Sequence, residues 1–331
     1  MRFETQCASS LIFLIYINDI YNSCKSGENV LFADDTNIFV SANDKHTLYE
    51  KANKILHEIS RYMFTNKLHI NMSKCCYIHF NPSKSSYVNT DAPPTPPLKL
   101  NNTIIKQVTQ TKFLGVIIDE KLSWQPHITE LTRKLACCAG VLNRIKDNIP
   151  SHLHKSLYHT LFESHLTYGI TVWGGVSQNK LLPLFRAQKK CCRIMFGDKE
   201  TYLDKFKTCA RTRIYEDQRL DSKFYSKEHS KPLLNKYSIL TVHNLYTYYC
   251  AVEIFKILKF RSPISLYQQF ELSKRKETLL ITTHPSHNFH YKAGLIWNVV
   301  RNLLQIFDFS AKLGLFKLNL KKTHIYYTMY G

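Results

Sequence analysis

Two short apolar runs, Val30-Leu31-Phe32-Ala33 and Thr36-Asn37-Ile38-Phe39-Val40, flank the dipeptide Asp34-Asp35. Runs of this length, rich in β-branched and aromatic residues and broken by turn formers, read as a β-hairpin. The hairpin therefore carries two carboxylates at its tip. Adjacent anions repel, and apolar strands beside them raise the cost of keeping both ionised. A divalent cation reverses that cost, because Mg2+ takes one or two carboxylates together with phosphate oxygens. Asp-Asp is also a common turn dipeptide, and on the dipeptide alone the ordinary turn is the stronger reading.

The pattern around the hairpin sets the fold class. Residues 11–21 read as a buried helix, apolar on most faces. Leu48, Ala52, Ile55, Leu56, Ile59 and Met63 recur at steps of three and four, which predicts an amphipathic helix over 44–68 with Asp44 as its N-cap. Period-2 alternation predicts a strand at 76–80, and two further strands are expected at 104–108 and 113–118. A polar, proline-rich loop fills 81–97. Beyond it the chain turns helical. One helix carries Ile128, Leu131, Leu135, Leu142 and Ile145; a second, capped by Ser151, carries Leu157, Leu161, Phe162 and Leu166. Others are expected at 180–196, 240–260 and 294–306, with a charge-dense surface linker at 198–236. Strands followed by a run of helices imply an α+β fold with a helical second domain.

Charge is distributed unevenly. The 331 residues hold 45 Lys and Arg against 25 Asp and Glu, a net +20. Residues 1–80 carry eight of each sign, so the whole excess lies after residue 80. A polyanion would meet the later part of the chain, nucleic acid before a membrane surface; a well-solvated face is the competing reading. The ten cysteines include three adjacent pairs but no C-x-x-C, which leaves a zinc ribbon unsupported and makes reduced thiols in an intracellular compartment the simplest expectation. The apolar run at 11–17 has Glu4 before it and ends in Asn18-Asp19 without a small-residue cleavage site, unlike a secretory signal. No stretch nears the roughly 20 apolar residues of a membrane span. His284, His287 and His290 are spaced by three, but their loop-like setting favours no metal site.

An ordered series of motifs carries a resemblance. Phe32-Ala33-Asp34-Asp35 is similar to the F/Y-A-D-D signature of reverse transcriptases. The segment from Leu11 to Ile20 resembles the L-L-F-L-x-Y-I-N-D stretch of the jockey-type, non-LTR retrotransposon enzymes. Asn66-Lys67-Leu68-His69-Ile70-Asn71 with Lys74 resembles N-K-L-x-x-N-x-x-K. Phe113-Leu114-Gly115-Val116 resembles the F-L-G primer-grip hairpin. Tyr168-Gly169 with Trp173-Gly174 resembles a Y-G…W-G segment after the palm, and Leu295-Ile296-Trp297-Asn298 a tail element. The series spans nearly the whole chain.

The resemblance implies a partial antiparallel palm sheet with packed helices over 1–125, a helical thumb-like region over 126–197, and a charged linker with a helical C-terminal region over 198–331. It implies that Asp34 is a palm metal ligand with Asp35 beside it, and that Lys74 lies near the leaving pyrophosphate as a cation or general acid. Phe113, Leu114 and Gly115 would hold the primer end. The predicted helices place Arg133, Lys134, Arg144, Lys189, Lys190 and Arg193 as contacts to RNA or DNA.

Departures from the family decide what is expected of activity. Relatives supply a further Asp from an upstream palm strand, yet Glu4, Asp19 and Glu28 are the acidic residues before Asp34, and none stands in an F-x-D-like context. Glu4-Thr5-Gln6 occupies the place of the family's Q-G-S. Mg2+ is the cofactor of intact relatives, and these departures count against its binding here, because two-metal transfer needs carboxylates from both strands. The expectation is a truncated, inactive RNA-directed DNA polymerase that keeps template or primer affinity. The alternatives are a non-enzymatic nucleic-acid-binding derivative, a functionless transposon remnant, or a gene prediction that omits an upstream catalytic strand.

Overall fold

The computed structural model describes residues 14–15, 17–20, 27–33, 35–80, 96–197, 230–270, 289–304 and 313–322. The chain divides into two compact units, one of residues 1–112 and 119–122, the other of 113–118 and 123–331. Strands and a few helices make the first unit and helices dominate the second, the α+β class expected from the sequence.

In the first unit, β1 (Glu28–Phe32) pairs antiparallel with β2 (Asp35–Phe39), Phe32 opposite Asp35. Only Ala33 and Asp34 lie between them, the two-residue loop that a tight hairpin needs. Helix α1 (Lys45–Thr65) begins where predicted: the Asp44 carboxylate accepts the Thr47 N–H at 2.8 Å. Its apolar stripe splits between two sheets. Ile55 and Ile59 meet Ile38 and Val40 of the hairpin, while Tyr49 packs on Leu98, Leu100 and Ile105. Asn53 anchors the second contact, accepting the Lys99 N–H at 3.1 Å and donating to the Pro97 carbonyl at 3.2 Å. Among the described residues the hairpin has no third strand, and Phe32 (59% exposed) and Phe39 (46%) face solvent.

Several short elements differ from the sequence reading. The expected strand at 76–80 is only β3 (Cys76–Tyr77), and it pairs parallel with β6 (Lys106–Gln107). The strand expected at 104–108 is broken at Ile105, which is buried against Tyr49: β5 (Thr103–Ile104) turns back on β4 (Lys99–Leu100), and β6 follows. The run 113–118 is not one strand. It is the turn of a hairpin between β7 (Gln110–Phe113) and β8 (Val116–Asp119), because Leu114 and Gly115 take φ of 44° and 84°. The helix around 14–20 buries Ile17 and Ile20 but exposes Leu14 and Ile15, so its described part is not the wholly buried helix expected.

The second unit is a stack of helices around one core. Helix α2 (Gln125–Ile145) packs against α5 (Gln178–Phe196) through Leu131, Leu135, Leu142, Leu181, Leu184 and Cys191. Between them in sequence runs α3 at 154–167, whose middle, Tyr158–Glu163, is a π-helical turn, and then the short α4 (Ile170–Trp173). Ser151 does not cap α3; a 3-10 turn, Ser151–Leu153, comes first. Helix α6 (Ser230–Lys236) occupies part of the expected linker, since Leu234 is buried in this core. Helix α7 (Val242–Phe260) is buried on nearly every face, and α9 (Phe289–Leu304) and α10 (Leu313–Lys322) cover it after the single turn α8 (Ile264–Tyr267). Within it Phe255 stacks on Phe316 at 4.2 Å and lies against Trp297.

One buried polar group ties this stack together. Gln188 of α5 is fully buried; its amide donates to the Tyr158 hydroxyl at 2.9 Å and the Leu240 carbonyl at 2.7 Å, and its carbonyl accepts the Val242 N–H at 3.0 Å. A helix start and a buried phenol are thus both satisfied from one side chain. Burial also pushes the Cys192 thiol up to about 12 and Cys191 higher still, so the pair behaves as small apolar residues. Among the described residues no helix is long and apolar enough to cross a membrane. Replacing Gln188 with Leu keeps the volume and strands three polar partners, so the stability of the second unit should fall by about 2–4 kcal/mol. Denaturant unfolding read by tryptophan fluorescence reports this unit alone, because Trp124, Trp173 and Trp297 all lie in it. A loss below about 1 kcal/mol would show that the amide does not carry these contacts.

Candidate nucleic-acid interface

Asp34, the leading metal-ligand candidate, lies outside the described residues. Asp35 opens β2 and is exposed, and Ala33, the first residue of the turn, has φ of 52°. A residue with a Cβ in that left-handed region costs about 1 kcal/mol, a strain held by the strands on either side. Among the described residues no three His, Cys, Asp or Glu side chains gather to hold a metal ion. Of the Asp34-Asp35 pair, the structure thus describes one carboxylate, that of Asp35. Lys74 ends a 3-10 turn, Met72–Lys74, and is exposed. No hydrogen bond or ion pair links it to Asp35 among the described residues. The motif containing it has a local rationale: the Asn66 side chain donates to the Tyr62 carbonyl at the end of α1, and the Asn71 side chain accepts the Ser73 N–H. The histidines at 284 and 287 lie outside the described residues, as does the side chain of His290.

The second unit brings together motifs that are 54 residues apart. At the tip of the β7–β8 hairpin, the Leu114 carbonyl accepts the Tyr168 hydroxyl at 2.7 Å. A Cβ on Gly115 would come within 3.0 Å of the Tyr168 ring, and one on Gly169 within 3.1 Å of the Val116 side chain. Gly115 and Gly169 both have positive φ, 84° and 61°, so glycine is favoured at each by conformation and by the closeness of the neighbouring side chain. The Trp173 indole N–H donates to the Tyr168 carbonyl at 2.9 Å. Thus Phe113-Leu114-Gly115-Val116 and Tyr168-Gly169…Trp173 form one assembly, with Phe113 half-buried and Val116 in the core.

His127, which sequence reasoning passed over, is part of the same assembly. Its Nδ1 accepts the Ile117 N–H at 3.3 Å, and its ring lies 5.3 Å from that of Trp173. The accepting role leaves the proton on Nε2. Burial, with Lys134 adding to it, holds His127 below the ordinary histidine range. Nothing in its sequence neighbourhood marks it; only the fold places it under the hairpin.

The basic candidates fall on α2 and α5. These two packed helices carry eight Lys and Arg and one acidic residue, Glu130. Arg133 already holds Glu130 through two hydrogen bonds, of 3.0 and 2.8 Å. Lys134, Arg144 and Lys190 are exposed. On α5, Arg186, Lys189, Lys190 and Arg193 follow at i, i+3, i+4 and i+7 and share one face, with no acid anywhere on the helix. Lys189 is held below its ordinary range by burial and then by Arg193 and Arg186, and its ammonium lies 4.6 Å from the centre of the Phe185 ring. Like charges at this spacing destabilise a helix, and no carboxylate within the helix offsets them. Arg186 belongs to it and was missed, although the uninterrupted basic spacing was visible.

Residues 7–118 match the family described as reverse transcriptase (RNA-dependent DNA polymerase). The chain is 26% identical over 147 residues to the Pol polyprotein of the type-1 retrotransposable element R1 of Bradysia coprophila, a match covering 44% of this chain and 14% of that protein. It is 21% identical over 196 residues to the probable RNA-directed DNA polymerase of the Drosophila melanogaster transposon X-element, covering 56% of this chain and 20% of the relative. It is also 21% identical over 169 residues to the RNA-directed DNA polymerase of the mobile element jockey from the same fly, covering 50% and 18%. The chain thus matches no more than a fifth of the length of these relatives. No solved structure matches it.

His127 and His243, the latter lowered by burial, are both neutral in the folded second unit. For a histidine whose folded pKa is depressed, stability is complete above the unfolded value near 6.5 and is lost as pH falls toward the folded pKa. The denaturant midpoint read by tryptophan fluorescence should be flat above pH 7 and fall between pH 6.5 and 5, and replacing both histidines with Gln should remove much of that slope. A midpoint unchanged from pH 7.5 to 5 contradicts this.

Proposed function

We propose, from the match of residues 7–118 to the reverse transcriptase family and the similarity to retrotransposon polymerases, that the chain is the strand-holding part of an RNA-directed DNA polymerase. In this reading the Phe113-Leu114-Gly115 turn supports the end of a primer. The basic face of α5, with Lys134 and Arg144 of α2, follows the phosphates of the template–primer duplex. The observation that carries it is the seating of the F-L-G turn on the helical unit that also bears the acid-free row Arg186, Lys189, Lys190 and Arg193. A palm-like region to about 125, a thumb-like region to about 197 and a C-terminal helical region are the corresponding functional parts.

Asp34 and Asp35 are, in the same proposal, this chain's share of a carboxylate set that the 331 residues do not complete in the family's pattern. Lys74 would stand near the phosphates of an incoming nucleotide. The polypeptide by itself then binds nucleic acid without extending a primer, whatever precedes it in a longer protein. The departures from the family's pattern among the acidic residues before Asp34 and at Glu4-Thr5-Gln6 support this part.

Phosphate binding releases counterions, with a log–log salt slope of about −0.7 to −0.9 per neutralised phosphate. Roughly four to six contacts should therefore weaken binding of an RNA–DNA hybrid about 10²- to 10³-fold between 50 and 200 mM salt. Changing Arg186, Lys189, Lys190 and Arg193 to Gln should reduce the slope by about three to four without altering the tryptophan spectrum. No extension on an RNA template is expected with Mg2+ or Mn2+. Extension that disappears in Asp34→Asn would overturn the inactive reading, and salt-independent binding would overturn the basic-face reading.

A further inference from the structure

We infer that Tyr168 is the positioning residue of the F-L-G turn, and through that turn of the strand end it supports; the inference rests on the primer-end reading of Phe113-Leu114-Gly115. The turn is strained by its own sequence. Leu114 has φ of 44°, a region that costs a residue with a Cβ about 1 kcal/mol. In a two-residue hairpin loop the first loop carbonyl takes no part in the strand ladder. The Tyr168 hydroxyl occupies that carbonyl at 2.7 Å and so fixes the turn's orientation from outside the hairpin.

Tyr168 is itself fixed from the opposite side. Its carbonyl accepts the Trp173 N–H, and Trp173 is fully buried. Gly169 brings the backbone up to Val116, which is in the core of the second unit. The glycine of F-L-G then has a specific partner: it admits the Tyr168 ring, which a Cβ would meet at 3.0 Å. Yet the Tyr168 ring is 57% exposed, unlike Tyr158, which is fully buried. An exposed ring with one long-range hydrogen bond adds little to stability. Its hydroxyl acts on where the turn points.

The test uses the full chain and an RNA–DNA hybrid with a recessed DNA 3′ end. One hybrid carries 4-thiothymidine as the last primer nucleotide, and another carries it in the middle of the duplex. The wild-type chain should crosslink the 3′-terminal label within residues 110–119. Tyr168→Phe should lower that yield about fivefold, the worth of one hydrogen bond, and the thermal midpoint by no more than about 2–4 °C, while the mid-duplex yield changes less than twofold. Gly115→Ala, which pushes on the ring, should lower the same yield. If the wild-type 3′ end crosslinks elsewhere, the primer-end reading fails and this inference with it. If it crosslinks there and Tyr168→Phe changes nothing, or lowers both labels equally, the reading stands and Tyr168 has no positioning role.

Discussion

A two-residue turn with positive φ at both positions can lie against an aromatic ring only if the residue facing the ring has no Cβ. Leu114 and Gly115 meet that condition beneath Tyr168. The hairpin strand leaving this turn then falls where Val116 joins the helical core and where the Ile117 N–H finds the neutral nitrogen of His127. A short hairpin with few contacts of its own thereby takes its rigidity from a large core. This is the usual logic of a binding element: the tip is exposed and the support is buried.

Charge adds a second constraint. Helix α5 places four cations on one face with no Asp or Glu in its own sequence, while its other face supplies Leu181, Leu184, Gln188 and Cys191 to the core. The buried face fixes the helix, so the basic face cannot turn away from itself to relieve its repulsion. Arg133 of α2, paired with Glu130, shows the opposite arrangement, a cation already neutralised within its own helix. In the proposed reading α5 is the surface a polyanion would meet, with the Leu114-Gly115 turn held in the same unit.

The sequence made long elements legible and short ones less so. The helix capped by Asp44 and the helices near 125–145, 180–196 and 240–260 stand close to their predicted places, because their apolar spacing extends over several turns. The strands at 76–80 and 104–108 shrank because two-residue bridges are decided by tertiary pairing and by the burial of Ile105, neither of which a period-2 pattern records. The run 113–118 misled for a sharper reason: apolar residues on both sides of Gly115 look like one strand, whereas its φ makes a turn. The F-L-G and Y-G motifs were visible separately. Their contact, and the part of His127, required the fold. The Asp34-Asp35 pair was read from residues alone, and Asp34 lies outside the described residues.

Hydrogen–deuterium exchange of the full chain, with and without saturating RNA–DNA hybrid bearing a recessed 3′ end, tests the central claim most directly. A strand held by the turn and by the basic helix slows exchange at 113–118 and along 182–193 and leaves 45–65 unchanged. Protection confined to 28–39 or 45–65, or no change at 113–118 when the hybrid is fully bound, would contradict it.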